Sequence, residues 1–174
     1  MEQPVLVICM GVSGSGKSTV AAELAQRFNL EFIEADDYHS DENRARMKAG
    51  IPLTDEQREP WIDTLCRLLE DRRQAGIHCI LAYSGLRRAH RQRFRELGFR
   101  TFFLHLAGDR DLIAERMTQR SGHYMPASLL DSQFAAMEPA DSEPDIVTVD
   151  GTAPLPEVVE TCRSRVHDFL FTKP

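Results

Sequence analysis

Gly11-Val12-Ser13-Gly14-Ser15-Gly16-Lys17-Ser18 is the stretch of this chain best suited to chemistry. Its glycines let successive backbone amides turn inward on an anion, and a helix opening at its end adds unpaired amides and a positive dipole. The spacing G-x-x-x-x-G-K-S makes Gly11–Ser18 a triphosphate cradle. In that reading Lys17 reaches the β- and γ-phosphates, Ser18 offers its hydroxyl to Mg²⁺, and Thr19 adds a hydroxyl near the α-phosphate. A chance glycine-rich turn has the same letters. What separates the two is context: the motif follows the apolar run Val5–Met10 and opens an amphipathic stretch, Ser18–Phe28. ATP or GTP is indicated, and the acceptor stays open.

The acceptor has to be read from other residues. A guanine reader needs Asn-Lys-x-Asp, yet the only asparagines, Asn29 and Asn43, are not followed by lysine. A motor or AAA-type ATPase would end an apolar strand in Asp-Glu, whereas Ile77–Tyr83 runs into Ser84-Gly85. A small kinase remains. Phosphorylating a hydroxyl calls for a carboxylate beside it, and Glu34-Ala35-Asp36-Asp37 closes the second expected strand, where parallel sheets bind ligands. Asp36 is the candidate to orient the hydroxyl, and Glu34 the candidate to hold the metal's water shell. The alternative is that Asp36 and Asp37 only cap a helix.

Basic residues supply the remaining candidates. Arg116, Arg120 and His123 fall in a late segment, 116–133, where arginines closing over the triphosphate would neutralise transition-state charge. The alternative is an ordinary solvated helix face. Arg87 and Arg88 open an arginine-rich stretch just past the third strand, within reach of an anionic acceptor.

The elements that must position these groups alternate short apolar runs with helical patterns, as in a parallel sheet wrapped by helices. Strands are expected at Val5–Met10, Glu31–Ala35, Ile77–Tyr83, Arg100–Leu106 and Asp145–Val149. Helices are expected at Ser18–Phe28, Leu86–Leu97, Asp109–Gln119 and Pro156–Leu170. Thr54–Gln57 has the capping-box pattern, and Pro60 reads as the first turn of a further helix through Trp61, Leu65 and Leu69, stopped at Gly76. Two stretches break the alternation: Ser40–Thr54, a charged helical piece, and Arg120–Pro139, a polar insertion. Insertions of this length often serve as lids or binding elements.

Bulk properties agree with one soluble domain. The 174 residues are 42% hydrophobic and 28% charged, enough to build a core without a disordered bias. A net charge of −6 disfavours nucleic acid as a partner. The start, Met1-Glu2-Gln3-Pro4, lacks a signal-peptide pattern, and no apolar run is long enough for a bilayer. Four scattered cysteines without CxxC spacing suit buried thiols in a reducing compartment, so a cytoplasmic location is expected.

Two longer motifs carry a specific resemblance. Asp36-Asp37-Tyr38-His39, then Asn43-Arg44-x-x-Met47-x-x-Gly50-Ile51-Pro52-Leu53-Thr54-Asp55, then Pro60-Trp61 follow the cradle. Later come Gly122-His123-Tyr124-Met125-Pro126-x-Ser128-Leu129-Leu130-x-Ser132-Gln133 and Glu138-Pro139. In order and spacing the chain resembles the gluconokinase family over nearly its whole length. The resemblance implies an α/β three-layer P-loop kinase fold with a five-stranded parallel sheet flanked by helices, similar to nucleoside monophosphate and shikimate kinases. It implies ATP- and Mg²⁺-dependent phosphorylation of D-gluconate to 6-phosphogluconate, feeding carbohydrate catabolism, and a homodimer. One domain, 1–174, would carry an acceptor-binding insert at about 37–60 and a lid at about 116–139. By position, Lys17, Asp36 and Arg120 become the catalytic set. Asp36, His39, Arg44, Arg88, His123 and Gln133 become the acceptor contacts. The chain departs from the family pattern at Glu34, where Asp is frequent, at Ser40, where Pro commonly follows the His, and in Ala82-Tyr83-Ser84-Gly85-Leu86-Arg87, where Ala-Cys-Ser-Ala-Leu-Lys is usual. A kinase of another small acceptor, or an ATP-binding regulatory protein, are the alternative readings.

Overall fold

Residues 3–119 and 126–172 are described by the computed structural model. Five strands, β1 (Val5–Met10), β2 (Glu31–Glu34), β3 (Cys79–Tyr83), β4 (Arg100–Ala107) and β5 (Ile146–Asp150), form one sheet in the order β2-β3-β1-β4-β5. Every neighbouring pair is parallel. Among the described residues seven α-helices accompany them: α1 (Lys17–Phe28), α2 (Asp41–Lys48), α3 (Asp55–Gln74), α4 (Arg88–Arg95), α5 (Arg110–Gln119), α6 (Ala127–Ala136) and α7 (Leu155–Phe171). The expected fold class is the observed one.

Side chains alternate across a strand, so central β1 feeds both faces of the sheet. Val5, Val7 and Cys9 pack with Val20 and Leu24 of α1 and with Val158, Cys162 and Val166 of α7. Leu6, Ile8 and Met10 pack on the other face with Trp61, Ile62, Leu65 and Leu69 of α3 and Phe94 of α4. All six residues of β1 are buried, which accounts for its continuous apolar run. The chain moves from β1 to one side of the sheet and from β3 to the other. The loops at the carboxyl ends of β1, β2 and β3 therefore converge where such sheets take ligands.

Three expectations are corrected. α3 is one helix of 20 residues with Pro60 inside it, not two helices meeting at the proline. Its start is fixed by a complete capping box: Gln57 N–H donates to Thr54 Oγ1 (3.2 Å) and Thr54 N–H to Gln57 Oε1 (3.0 Å). That anchor, and burial of Trp61, Ile62, Leu65 and Leu69, outweigh the roughly 3 kcal/mol a mid-helix proline costs. The second strand stops at Glu34, because Ala35–Tyr38 coil into a 3-10 turn. The late polar insertion holds a ten-residue helix, α6. No helix among the described residues is long and apolar enough to cross a membrane.

Candidate active site

β1 delivers the chain directly into the cradle. Gly11 N–H donates to Ser84 O (3.2 Å), which ties the cradle to the loop after β3. Gly14 has φ +78, and a Cβ there would lie 2.6 Å from Met117 Cγ, so both backbone and packing require glycine. α1 is capped by Gly16 in the left-handed region, with no side-chain hydrogen bond at the cap. Its first-turn amides thus face the loop rather than a capping residue. Lys17 is 8% exposed, and its Nζ lies 3.5 Å from Val12 O. Ser15 Oγ is buried with no partner among the described residues. An amine folded back on its own loop and a buried hydroxyl without a partner suit a bound anion.

Glu34 stands beside this amine. Burial pushes its carboxyl above the usual range, while the Ser18 hydroxyl and the Lys17 charge pull it down and Asp36 adds to the rise. Its Oε1 is buried and lacks a partner among the described residues. A hydroxyl and an unsatisfied carboxylate oxygen are hard donors of the kind Mg²⁺ takes. No cluster of three or more His, Cys, Asp or Glu suited to a metal occurs among the described residues. Mg²⁺ needs none, since phosphates and water usually complete its shell.

The acceptor wall is built from the 3-10 turn. It carries Asp36, whose side chain is 66% exposed and which lines the same cleft as Lys17. His39 follows, 5% exposed, with its ring stacked on Trp61 at 4.0 Å and 21°. Trp61 is itself held by Nε1–H donating to Ala35 O (2.7 Å) and leans on Tyr83. Burial drives the His39 pKa below its ordinary value; Asp36 opposes this, and Arg44 and Arg58 add to it. His39 Nε2 lies 3.7 Å from Asp36 Oδ1, and Nδ1 has no partner among the described residues.

Ser13, Lys17, Asp36, His39 and Gln133 of the expected set line one cleft, together with Met47, Leu53, Leu129 and Ser132. Gln133, on α6, reaches the cradle: its Oε1 accepts from Ser13 N–H at 2.7 Å. The structure does not bring Arg44 or Arg88 to the cleft lining. Arg44 donates to Asp37 O (2.7 Å) and His39 O (3.0 and 3.1 Å), bracing the turn from outside. Arg88 faces Ser142 (3.1 Å) and Glu143 (3.4 Å). Arg116 donates to the carbonyls of Gly151, Thr152 and Ala153, pinning the loop before α7. Arg120 and His123 lie outside the described residues. Ser40, which departs from the family pattern, caps α2 by accepting from Asn43 N–H (3.1 Å).

Arg58 and Ser84 also line the cleft and were not anticipated. Arg58 lies three, four and seven residues before Trp61, Ile62 and Leu65, on the buried stripe of α3. An arginine in an apolar stripe was the available signal. The segment after α6 is fastened to the loop after β3. Glu138 N–H donates to Leu86 O (2.8 Å), and the fully buried Arg91 donates to Gly85 O (2.6 Å) while pairing with Glu143.

A family described as "AAA domain" matches residues 6–140, the span from β1 to just past α6. β3 itself, Cys79–Tyr83, ends without a carboxylate. A "Probable gluconokinase" of Mus musculus is 38% identical, covering 91% of this chain and 95% of the mouse protein. The "Thermosensitive gluconokinase" of Escherichia coli strain K12 is 39% identical over 91% of this chain and 86% of its own. A solved gluconokinase structure from Sinorhizobium meliloti 1021 superposes with a TM-score of 0.84 at 37% identity, covering 98% of both chains.

Proposed function

Because the chain belongs to the gluconokinase family of P-loop kinases, we infer that it transfers the γ-phosphoryl group of ATP to the C6 hydroxyl of D-gluconate, giving 6-phosphogluconate and ADP. The observation that carries this is one cleft lined by both Lys17 of the phosphate cradle and Asp36 of the acceptor turn. In this reading Gly11–Thr19 hold the triphosphate, with Lys17 on its terminal phosphates. Ser18 and Glu34 hold Mg²⁺, Glu34 through water; the ion neutralises phosphate charge when bound. Asp36 accepts a hydrogen bond from the C6 hydroxyl and aligns it for in-line attack.

His39 supplies the adjacent polar wall, and its unpartnered Nδ1 suits a sugar hydroxyl. Burial keeps the imidazole neutral at pH 7, so it does not compete with Asp36 for charge. Residues 37–60 act as the acceptor-binding insert and 116–139 as the lid, in which Arg120 is the group that closes over the phosphates and His123 an acceptor contact. Support for a lid comes from α6, whose Gln133 already bonds a cradle amide. Closure excludes water that would otherwise accept the phosphoryl group. The location proposed is the cytoplasm, which suits four free thiols, three of them buried. The homodimer rests on the family resemblance, and sedimentation tests it.

Transfer of label from γ-labelled ATP to gluconate, with shikimate and nucleoside monophosphates as parallel acceptors, tests the function. Label on 6-phosphogluconate is expected. ATP binding without transfer to any acceptor would favour a regulatory protein instead.

A further inference from the structure

If the cleft is a gluconate site, as proposed above, it must also recognise an acid. Asp55, at the first turn of α3, holds two arginines with one oxygen: Oδ1 accepts from Arg58 Nη1 (2.9 Å) and from Arg87 Nε (3.1 Å). The guanidinium groups of Arg58 and Arg87 have no other hydrogen-bond partner among the described residues. Two guanidinium groups around one carboxylate leave a single positive charge, which matches one carboxylate of a ligand.

Position strengthens the case. Arg58, 13% exposed in its side chain, is the one guanidinium lining the cleft among the described residues. It also lines a shallower outer groove that contains Arg87 and shares Leu53 and Ser132 with the cleft. Ser13, Lys17 and Asp36 border the cleft but not the groove. Arg58 therefore marks the end away from phosphoryl transfer. In an extended aldonic acid the carboxylate and the terminal hydroxyl stand at opposite ends, as these two ends of the site do. Arg44, Arg88, Arg91 and Arg116 are committed elsewhere, to backbone carbonyls or to Glu143.

We propose that Arg58, with Arg87 beside it and Asp55 orienting both, forms the carboxylate subsite that makes this kinase select a sugar acid over a neutral polyol. Arg58 contacts the substrate; Asp55 is a positioning residue acting through the two arginines. The departure from lysine at position 87 then has a meaning. A guanidinium can hold Asp55 and still present a second pair of N–H donors, which an ammonium does less well.

The test compares gluconate with glucitol, which keeps the hydroxyl chain and replaces the carboxylate with an alcohol. In the wild type gluconate should be strongly preferred. Arg58→Ala should raise the gluconate KM roughly 10- to 100-fold, the scale of one charge-assisted pair, with the ATP KM and the slow glucitol rate unchanged. Arg58→Lys should recover part of the loss. Asp55→Asn should raise the gluconate KM about 3- to 10-fold and leave glucitol unaffected. Equal losses for gluconate and glucitol in Arg58→Ala, or an unchanged gluconate KM, overturn the subsite while leaving the kinase assignment intact. A wild type that does not phosphorylate gluconate overturns the assignment itself and the subsite with it. Should Arg58→Ala not fold, Arg87→Ala decides by the same comparison: a selective rise for gluconate supports the subsite, and an unselective one refutes it.

Discussion

Gly50→Ala separates a folding effect from a closure effect at a single atom. Gly50 ends α2 in the left-handed region, φ +75, with Gly50 N–H donating to Met47 O (3.0 Å) and Ile51 N–H to Arg46 O (2.9 Å). This is the paired bonding of a Schellman turn, in which a Cβ is strained. Alanine should cost about 1 kcal/mol there in every state of the protein, lowering Tm by about 2–4 °C for a chain of this size. A Cβ at this position would also stand 2.8 Å from Pro126 Cγ, just ahead of α6. Ordinary carbon contacts need about 3.5–4.0 Å, so the acceptor insert and the α6 segment would have to part. Overpacking of this kind costs about 1–3 kcal/mol, and it applies only while the two segments touch. If they touch in the reactive arrangement, kcat/KM for gluconate should fall about 10-fold or more. Gly76→Ala is the matched control, with φ +73 and nothing within 4 Å of the added atom. Thermal unfolding and coupled ADP-release kinetics on both variants read the two effects separately. Equal Tm losses with equal, wild-type kcat/KM would refute the idea that residues 50 and 126 meet during catalysis.

Three further outcomes are expected. Asp36→Asn should lower kcat by about 100-fold or more with nucleotide affinity retained, read by turnover and by titration with an ATP analogue; a small change would reduce Asp36 to a helix cap. For Glu34, burial holds the folded-state pKa above the ordinary 4.5. Its contribution to stability is therefore complete below about 4.5 and lost as pH rises through the folded value. Glu34→Gln should be more stable than the wild type at pH 7–8, converge with it near pH 4.5, and yet need more Mg²⁺ for half-maximal rate. A variant less stable at pH 8 would show that burial is not what raises the carboxyl. His39 and His105 have the opposite sign. Burial lowers both below the ordinary 6.5, opposed by Asp36 at His39 and reinforced by Arg91 at His105. Stability should be full above about pH 6.5 and fall on acidification by up to about 1.4 kcal/mol per pH unit per histidine. Urea unfolding between pH 5 and 7.5 should show this limb flattened in a His39→Gln/His105→Gln variant, and an unaltered limb would assign it to other groups.

How far the site was legible depended on how local each part is. The cradle is eight consecutive residues whose geometry follows from glycine and a helix start, so spacing alone located it. The sheet was legible for a similar reason, because strands buried on both faces leave continuous apolar runs. The arginines were not. Arg88 was expected at the acceptor because it follows β3, but Pro139, Ser142 and Glu143 return over fifty residues later to take its guanidinium. Arg44 sits in the expected segment, yet its donors serve the carbonyls of Asp37 and His39. Which way a long side chain turns is decided by such distant acceptors, and no window of sequence contains them. α6 was hidden differently: it buries the adjacent pair Leu129 and Leu130, which lacks a helical period.

α3 shows why the acceptor side breaks local rules that the cradle obeys. A proline at its sixth position removes the donor that would bond Glu56 O, and a helix under folding pressure alone would not keep it. The same two turns, however, carry several braces of the acceptor wall. Thr54 and Gln57 cap the helix while Asp55 between them gathers Arg58 and Arg87. Gln57 O also accepts from the buried Asn43, which locks α2 to α3 (3.0 Å). Trp61, next to the proline, supports both the 3-10 turn through Ala35 O and the ring of His39. Displacing the first turn of α3 would thus move Arg58, α2 and the Asp36–His39 turn as one body. Stabilising that body by Pro60→Ala should raise Tm, since it restores a backbone bond in a helix already capped at its start. If the irregularity sets the spacing between Arg58 and Trp61, the gain in Tm will come with a higher gluconate KM. A gain in stability at unchanged KM would mean that the proline is incidental to the site.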